Sequence, residues 1–176
     1  MFIDLNKMDA GDRVFDGPIG VPDLDGPTGE PIPVSGAVLR GTIVKGKHGF
    51  DLNADFSAAT RMSCSRCLAS FESSVTSSFH LRLLLTIEAE PSPAPDAGGD
   101  DESDVLICPE GKLDLVEVVS EQIYLNLPLK PVCREGCLGL CPVCGGDRNE
   151  RACECRTSEP DPRWAPLLKR KNRSNE

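Results

Sequence analysis

Long apolar runs are missing from this chain. No window of its 176 residues approaches the ~18 consecutive apolar residues that a membrane-crossing helix needs. A basic start followed by an apolar stretch is missing too. The N-terminus reads MFIDLNKMDAGDRVFDG, so no secretory signal peptide is expected and a cytoplasmic location is. Histidines number only two, His48 and His80, and both stand alone. No order of Ser, His and Asp suggests a nucleophilic site, so an enzyme is not expected. Aromatics are scarce, with one Trp, one Tyr and six Phe. Positive charge is in deficit: the formal net charge is −9. That excludes coating of nucleic acid over the whole surface and attraction to an anionic membrane, though a local basic patch remains allowed.

Turn formers and cysteines are abundant. Sixteen Gly and fifteen Pro predict many loops. Residues 1–30 read as an N-terminal strand from Met1 to Leu5 and a Gly/Pro-rich section of loop with short extended pieces. Residues 31–128 read as a β-rich domain. There Phe50, Leu52, Ala54 and Phe56 alternate with Asp51, Asn53 and Asp55, as a half-buried strand requires. Phe79 to Leu85 continue in this style. An antiparallel sheet or a small barrel-like domain follows from these patterns. The segment 88–104, EAEPSPAPDAGGDDESD, is too polar to bury a core and is expected to form an acidic loop. One main helix is expected at about 114–126. Asp114 and Glu117 fit an N-terminal capping pattern, and Leu115, Val118, Val119 and Ile123 make one apolar face. Pro128 stops it. The fold class is therefore α+β, closed by a cysteine-rich, zinc-ribbon-like segment and basic tail at 129–176.

Eight of the nine cysteines fall into four close pairs: Cys64 with Cys67, Cys133 with Cys137, Cys141 with Cys144, and Cys153 with Cys155. In a reducing compartment such pairs point to metal or redox chemistry, not to a disulfide framework. A C-x2-C turn offers two sulfurs to one ion, and zinc takes four ligands in a tetrahedron. Four pairs can be joined into two sites in three ways. The compact choice is Cys141, Cys144, Cys153 and Cys155. That leaves Cys64, Cys67, Cys133 and Cys137 as a second site that clips the C-terminal segment onto the sheet. One or two zinc ions are expected. A thioredoxin-like role for Cys64 and Cys67 is disfavoured because no βαβ pattern follows them; two small buried residues in a strand turn is the plainer competitor. Cys108 reads as a buried strand residue.

Each Zn²⁺ with four thiolates carries a net −2. Arg66, Lys130, Arg134, Arg148, Arg151 and Arg156 lie close in sequence to offset it. Arg134, Arg148 and Arg151, with Lys169, Arg170 and Lys171 in the tail, are also candidates for contact with RNA or a protein partner. The competing reading of the tail bases is a solvated terminus.

Four elements together resemble the bacterial YceD family, the large ribosomal RNA subunit accumulation proteins. They are C-S-R-C-L at 64–68, E-Q-I-Y-L-N-L-P-L-K-P-V-C at 121–133, C-L-G-L-C-P-V-C-G at 137–145 and D-P-R-W-A-P-L-L-K at 161–169. The resemblance implies a non-catalytic ribosome biogenesis factor that promotes synthesis or accumulation of 23S ribosomal RNA. Its implied partner is that RNA, a pre-50S particle or a ribosomal protein, with no small-molecule substrate. Zinc comes from the spacing and not from the resemblance. Two other classes compete: a zinc-ribbon adaptor in transcription, and a thiol-redox or RNA-modifying enzyme.

Overall fold

The computed structural model describes residues 1–8, 11–26, 29–47, 49–85 and 104–155. The greater part of the acidic segment, His48, Arg156, the 161–169 motif and the tail bases Lys169, Arg170 and Lys171 lie outside the described residues.

The molecule is organised around one long hairpin. Strand β6 (Phe50–Ser63) pairs antiparallel with β7 (Ser70–Leu84), from Phe50 opposite Leu83 to Ser63 opposite Ser70. Its seven alternate residues from Phe50 to Met62 are all buried, so one face of the strand is core for its whole length. Strand β5 (Val34–Lys45) pairs antiparallel on the other side of β6. Strand β2 (Arg13–Pro18) lies beyond β5 and β8 (Asp104–Ile107) beyond β7, giving the order β2-β5-β6-β7-β8. Among the described residues the sheet is open, with β2 and β8 as its edges. It is mixed and not wholly antiparallel, because β8 runs parallel to β7. A parallel partner needs a crossover connection, and the acidic segment supplies that length between the two strands.

A second layer covers the apolar face. Strand β1 (Phe2–Asp4) pairs with β9 (Lys112–Asp114), which leads directly into helix α1 (Leu115–Leu125). The Asp114 side chain accepts the backbone N–H of Val116 and so caps the helix. Leu115, Val118, Val119 and Ile123, the expected apolar face, are all buried. They share one core with Ile3, Leu5 and Leu113 above and with Leu39, Ile43, Leu52, Phe56, Leu81 and Leu83 of the sheet. Cys108 is buried in this core, just past the end of β8. The minor strands β3 (Leu24–Asp25) and β4 (Pro31–Ile32) form a separate short ribbon. No helix among the described residues is long and apolar enough to cross a membrane.

The row Ile43, Leu52, Leu81 runs across three adjacent strands, and all three side chains are buried. Leu52→Ala is expected to cost about 2–5 kcal/mol. Urea denaturation followed by circular dichroism checks this, and a loss under ~0.5 kcal/mol would match a surface position instead.

Candidate metal centres

At the far end of the β6–β7 hairpin the chain turns through residues 64–69. The Cys64 N–H donates to the Ala69 carbonyl at 2.9 Å, and the Leu68 N–H donates to the Cys64 carbonyl at 2.9 Å. The Arg66 N–H points at the Cys64 sulfur at 3.4 Å. This tight turn sets Cys64 and Cys67 side by side. The segment after α1 returns to the same place, where the Ser65 N–H donates to the Pro131 carbonyl at 2.8 Å. Cys133 and Cys137 thereby meet the hairpin tip.

Cys64 Sγ and Cys137 Sγ lie 3.8 Å apart, as do Cys67 Sγ and Cys133 Sγ. Disulfide sulfurs are only ~2.05 Å apart, so these are free thiols in contact. A tetrahedron of ~2.3 Å metal–sulfur bonds has edges of ~3.8 Å. The four ligand atoms all fall within 4.8 Å of one another. Cys64, Cys67 and Cys137 are buried and form a small apolar cluster with Phe71, Val132 and Leu140 packed on it. This inner cluster could hold one metal ion.

The second set repeats the first turn. Residues 141–146 are closed by a bridge between Leu140 and Asp147, as 64–69 are closed by Ser63 and Ser70. The Cys141 N–H donates to the Gly146 carbonyl at 2.8 Å, and the Gly145 N–H to the Cys141 carbonyl at 2.9 Å. The Val143 N–H points at the Cys141 sulfur at 3.4 Å. Cys153 and Cys155 bring their sulfurs to Cys141 and Cys144, and this outer group also lies within 4.8 Å. The chain thus gathers its eight paired cysteines into the two groups that loop length favours, and Cys108 into neither.

The fifth residue of each turn needs positive φ. Gly145 has φ 71° and meets that need without strain, whereas Leu68 has φ 62°. A leucine in the left-handed region costs roughly 1–2 kcal/mol. Its side chain is 67 % exposed, so little packing offsets that cost.

Arg66 and Asn149 hold the two turns together. The Arg66 carbonyl accepts from the Leu140 N–H at 2.9 Å, while its guanidinium donates to the Cys137 carbonyl at 2.9 Å. Gly139 (φ 70°) passes so close that an added Cβ would sit 2.9 Å from the Arg66 carbonyl oxygen. Asn149 accepts from the Leu138 N–H and from Arg134, and its amide donates toward the Cys137 sulfur at 3.4 Å. Arg134 is therefore engaged with Asn149, while Arg148 and Arg151 are exposed on the outer loop. Sequence reasoning gave neither Asn149 nor the inward turn of Arg66. Arg66 acts through backbone groups, and Asn149 through one backbone N–H and the side chains of Arg134 and Cys137, which no local residue pattern announces.

The thiols within each cluster are electrostatically unequal. Burial pushes Cys64 up, but backbone N–H groups of Cys133, Arg66 and Cys67 outweigh it and bring the pKa to about 6. Burial, then the neighbouring sulfurs of Cys137, Cys67 and Cys64, drive Cys133 up to about 12. In the outer cluster the N–H groups of Cys144 and Val143 bring Cys141 down to about 6, while Cys144, burial and Cys153 drive Cys155 to about 12. Each group thus holds thiols below their ordinary value, Cys64 and Cys137 in the inner and Cys141 in the outer, beside others held above it, and a full set of thiolates repels itself. A cation among the sulfurs removes that conflict, because its charge favours every ligand's deprotonated form.

Fold and sites define a mixed-sheet protein whose hairpin tip and C-terminal ribbon meet in one tetrathiol cluster, with a second tetrathiol cluster inside the ribbon. The family model of the large ribosomal RNA subunit accumulation protein YceD matches residues 52–170, from the third residue of β6 past all eight cluster cysteines. The chain belongs to that family. It is 29 % identical over 167 residues to the chloroplastic large ribosomal RNA subunit accumulation protein YCED homolog 1 of Arabidopsis thaliana, covering 81 % of this chain and 49 % of that protein. It is 32 % identical over 118 residues to uncharacterised proteins of Mycobacterium bovis and Mycobacterium tuberculosis, covering 63 % of this chain and 50 % of theirs. The chain spans about half the length of these curated relatives. No solved structure matches it.

The contrast between the two turns is testable. Leu68→Gly is expected to leave stability unchanged or raise it by up to about 1 kcal/mol, as relief of strain is set against glycine's greater freedom when unfolded. A clear fall in the denaturation midpoint would instead assign the leucine side chain a packing role at the hairpin tip.

Proposed function

We propose that this protein is a non-catalytic cytoplasmic factor that supports accumulation of large-subunit (23S) ribosomal RNA. The observation that carries this reading is the family match, whose span includes both tetrathiol clusters. The act itself is binding, to the RNA or to a large-subunit ribosomal protein in a pre-50S particle. Exposed Arg148 and Arg151 on the outer loop, Arg134 beside them, and Lys169, Arg170 and Lys171 in the tail supply the positive contacts. The strongly acidic chain then binds locally, and added salt weakens that contact.

Both clusters hold zinc in this reading. Four sulfur donors at tetrahedral spacing suit Zn²⁺, which has no redox chemistry of its own and a closed four-ligand shell when structural. Cys64, Cys67, Cys133 and Cys137 hold the ion that clips the ribbon to the sheet, and Cys141, Cys144, Cys153 and Cys155 hold the other. The ions order the chain and take part in no reaction.

Two measurements check these points. Elemental analysis of protein purified without chelator is expected to give about two zinc per chain, and about one in Cys64→Ser, since each site needs its four ligands. Iron, or no metal, would reject the zinc assignment. In cells lacking the gene, the ratio of large- to small-subunit ribosomal RNA is expected to fall. An unchanged ratio, in fast growth and in the cold, would overturn the functional reading.

A further inference from the structure

The two clusters share one turn design but differ in how they are enclosed. Inner-cluster Cys64 and Cys137 are 0 % and 3 % exposed, and Phe71, Val132 and Leu140 pack against them. Its ligands come from the tip of the main hairpin and from the segment after the helix. Separating them means breaking the contacts of Ser65 with Pro131 and of Arg66 with Cys137 and Leu140. The outer cluster is drawn wholly from residues 141–155. Cys144 and Cys153 are exposed, and the loop between them is held by short contacts near Asp147 and Asn149. Opening it is a local event, whereas opening the inner site involves the sheet.

We propose that the outer cluster is an oxidation-sensitive site whose metal is released by peroxide while the inner cluster keeps its own. The proposal rests on the reading that both clusters bind metal. Exposed thiolates meet oxidants that buried ones do not. The Cys144 sulfur attacks hydrogen peroxide, the O–O bond breaks, and a sulfenic acid and hydroxide result. The Cys153 sulfur then attacks that sulfenic sulfur, an S–S bond forms, and a second hydroxide leaves. Two thiolates lose two electrons and one peroxide is reduced to two hydroxides. Two ligands are lost, and the ion dissociates. Arg148 and Arg151 lie between Cys144 and Cys153, so release loosens the loop that presents these bases. A thiol reductant and metal restore the site. Contact with RNA or a partner thereby becomes dependent on oxidant.

The test uses the metal-loaded full chain. Metal is measured first, then freed metal is followed with a chromogenic chelator during peroxide treatment, and the thiols are mapped by alkylation and mass spectrometry. The expected result is release of about half the metal, with a disulfide inside 141–155 and unmodified Cys64, Cys67, Cys133 and Cys137. In Cys153→Ser the inner metal stays bound and peroxide releases none. Simultaneous loss of both ions, earlier oxidation of the inner cysteines, or no release at a dose that oxidises glutathione overturns the proposal. If the fresh protein holds no metal, the metal reading fails separately. Alkylation of the reduced chain then decides: faster labelling of Cys144 and Cys153 than of Cys64 and Cys137 retains the preferential exposure, and equal rates reject it.

Discussion

The meeting of Cys64 and Cys67 with Cys133 and Cys137 is the constraint on which the C-terminal third depends. The β6–β7 hairpin projects its tip beyond the helix, which covers the sheet's main core. At that tip the side chains buried together are mostly sulfurs, with Phe71, Val132 and Leu140 at their edge. Such a cluster buries too little apolar surface to order the following ribbon by hydrophobic transfer alone. The metal ion proposed for this cluster would supply what is missing, because ligands scattered in the unfolded chain are gathered only in the folded one. The ribbon then hangs from this point through Arg66, whose carbonyl and guanidinium both reach the strand of backbone at 137–140.

The two turns show how one backbone solution serves two sequences. Each needs a donor aimed at its first sulfur, a closing pair of hydrogen bonds and one residue at positive φ. Glycine fills the last role in the outer turn. Leucine fills it in the inner turn, where the long hairpin already fixes both ends and can hold a strained residue between them. The outer turn has only the single bridge of Leu140 with Asp147 behind it and carries the residue that strains least.

Much of this was legible from residue order. The alternation through Phe56 marked β6, and the capping Asp114 with its apolar stripe marked α1. Loop length alone favoured the pairing of cysteines that the fold brings about, since eight residues between Cys144 and Cys153 close cheaply. Strand β2 was hidden: Arg13–Pro18 includes a Gly and a Pro and stands at an edge, where Pro loses no ladder bond that matters. The parallel pairing of β8 was hidden as well, since four residues after a polar segment carry no sign of direction. Leu68 and Asn149 escaped because one role is set by φ and the other by contacts with the Leu138 N–H, Arg134 and the Cys137 sulfur that only the fold brings together, and composition and spacing encode neither.

Loop closure also orders the events of assembly. The outer ligands close over eight intervening residues, whereas Cys67 and Cys133 are 66 positions apart. For flexible chain that difference is worth about 2 kcal/mol in favour of the outer site. On the proposed metal reading, an ion reaching an unfolded chain would therefore find the outer site first. The inner site becomes cheap only after the sheet and helix have spanned the distance between its halves. Once they have, it is the more enclosed of the two, and its opening is tied to theirs. On that reading the site that would form first is also the one that would open first, and the later one would lock the ribbon to the fold. Both properties follow from the same fact: one cluster is local in sequence, and the other joins segments that only the folded sheet brings together.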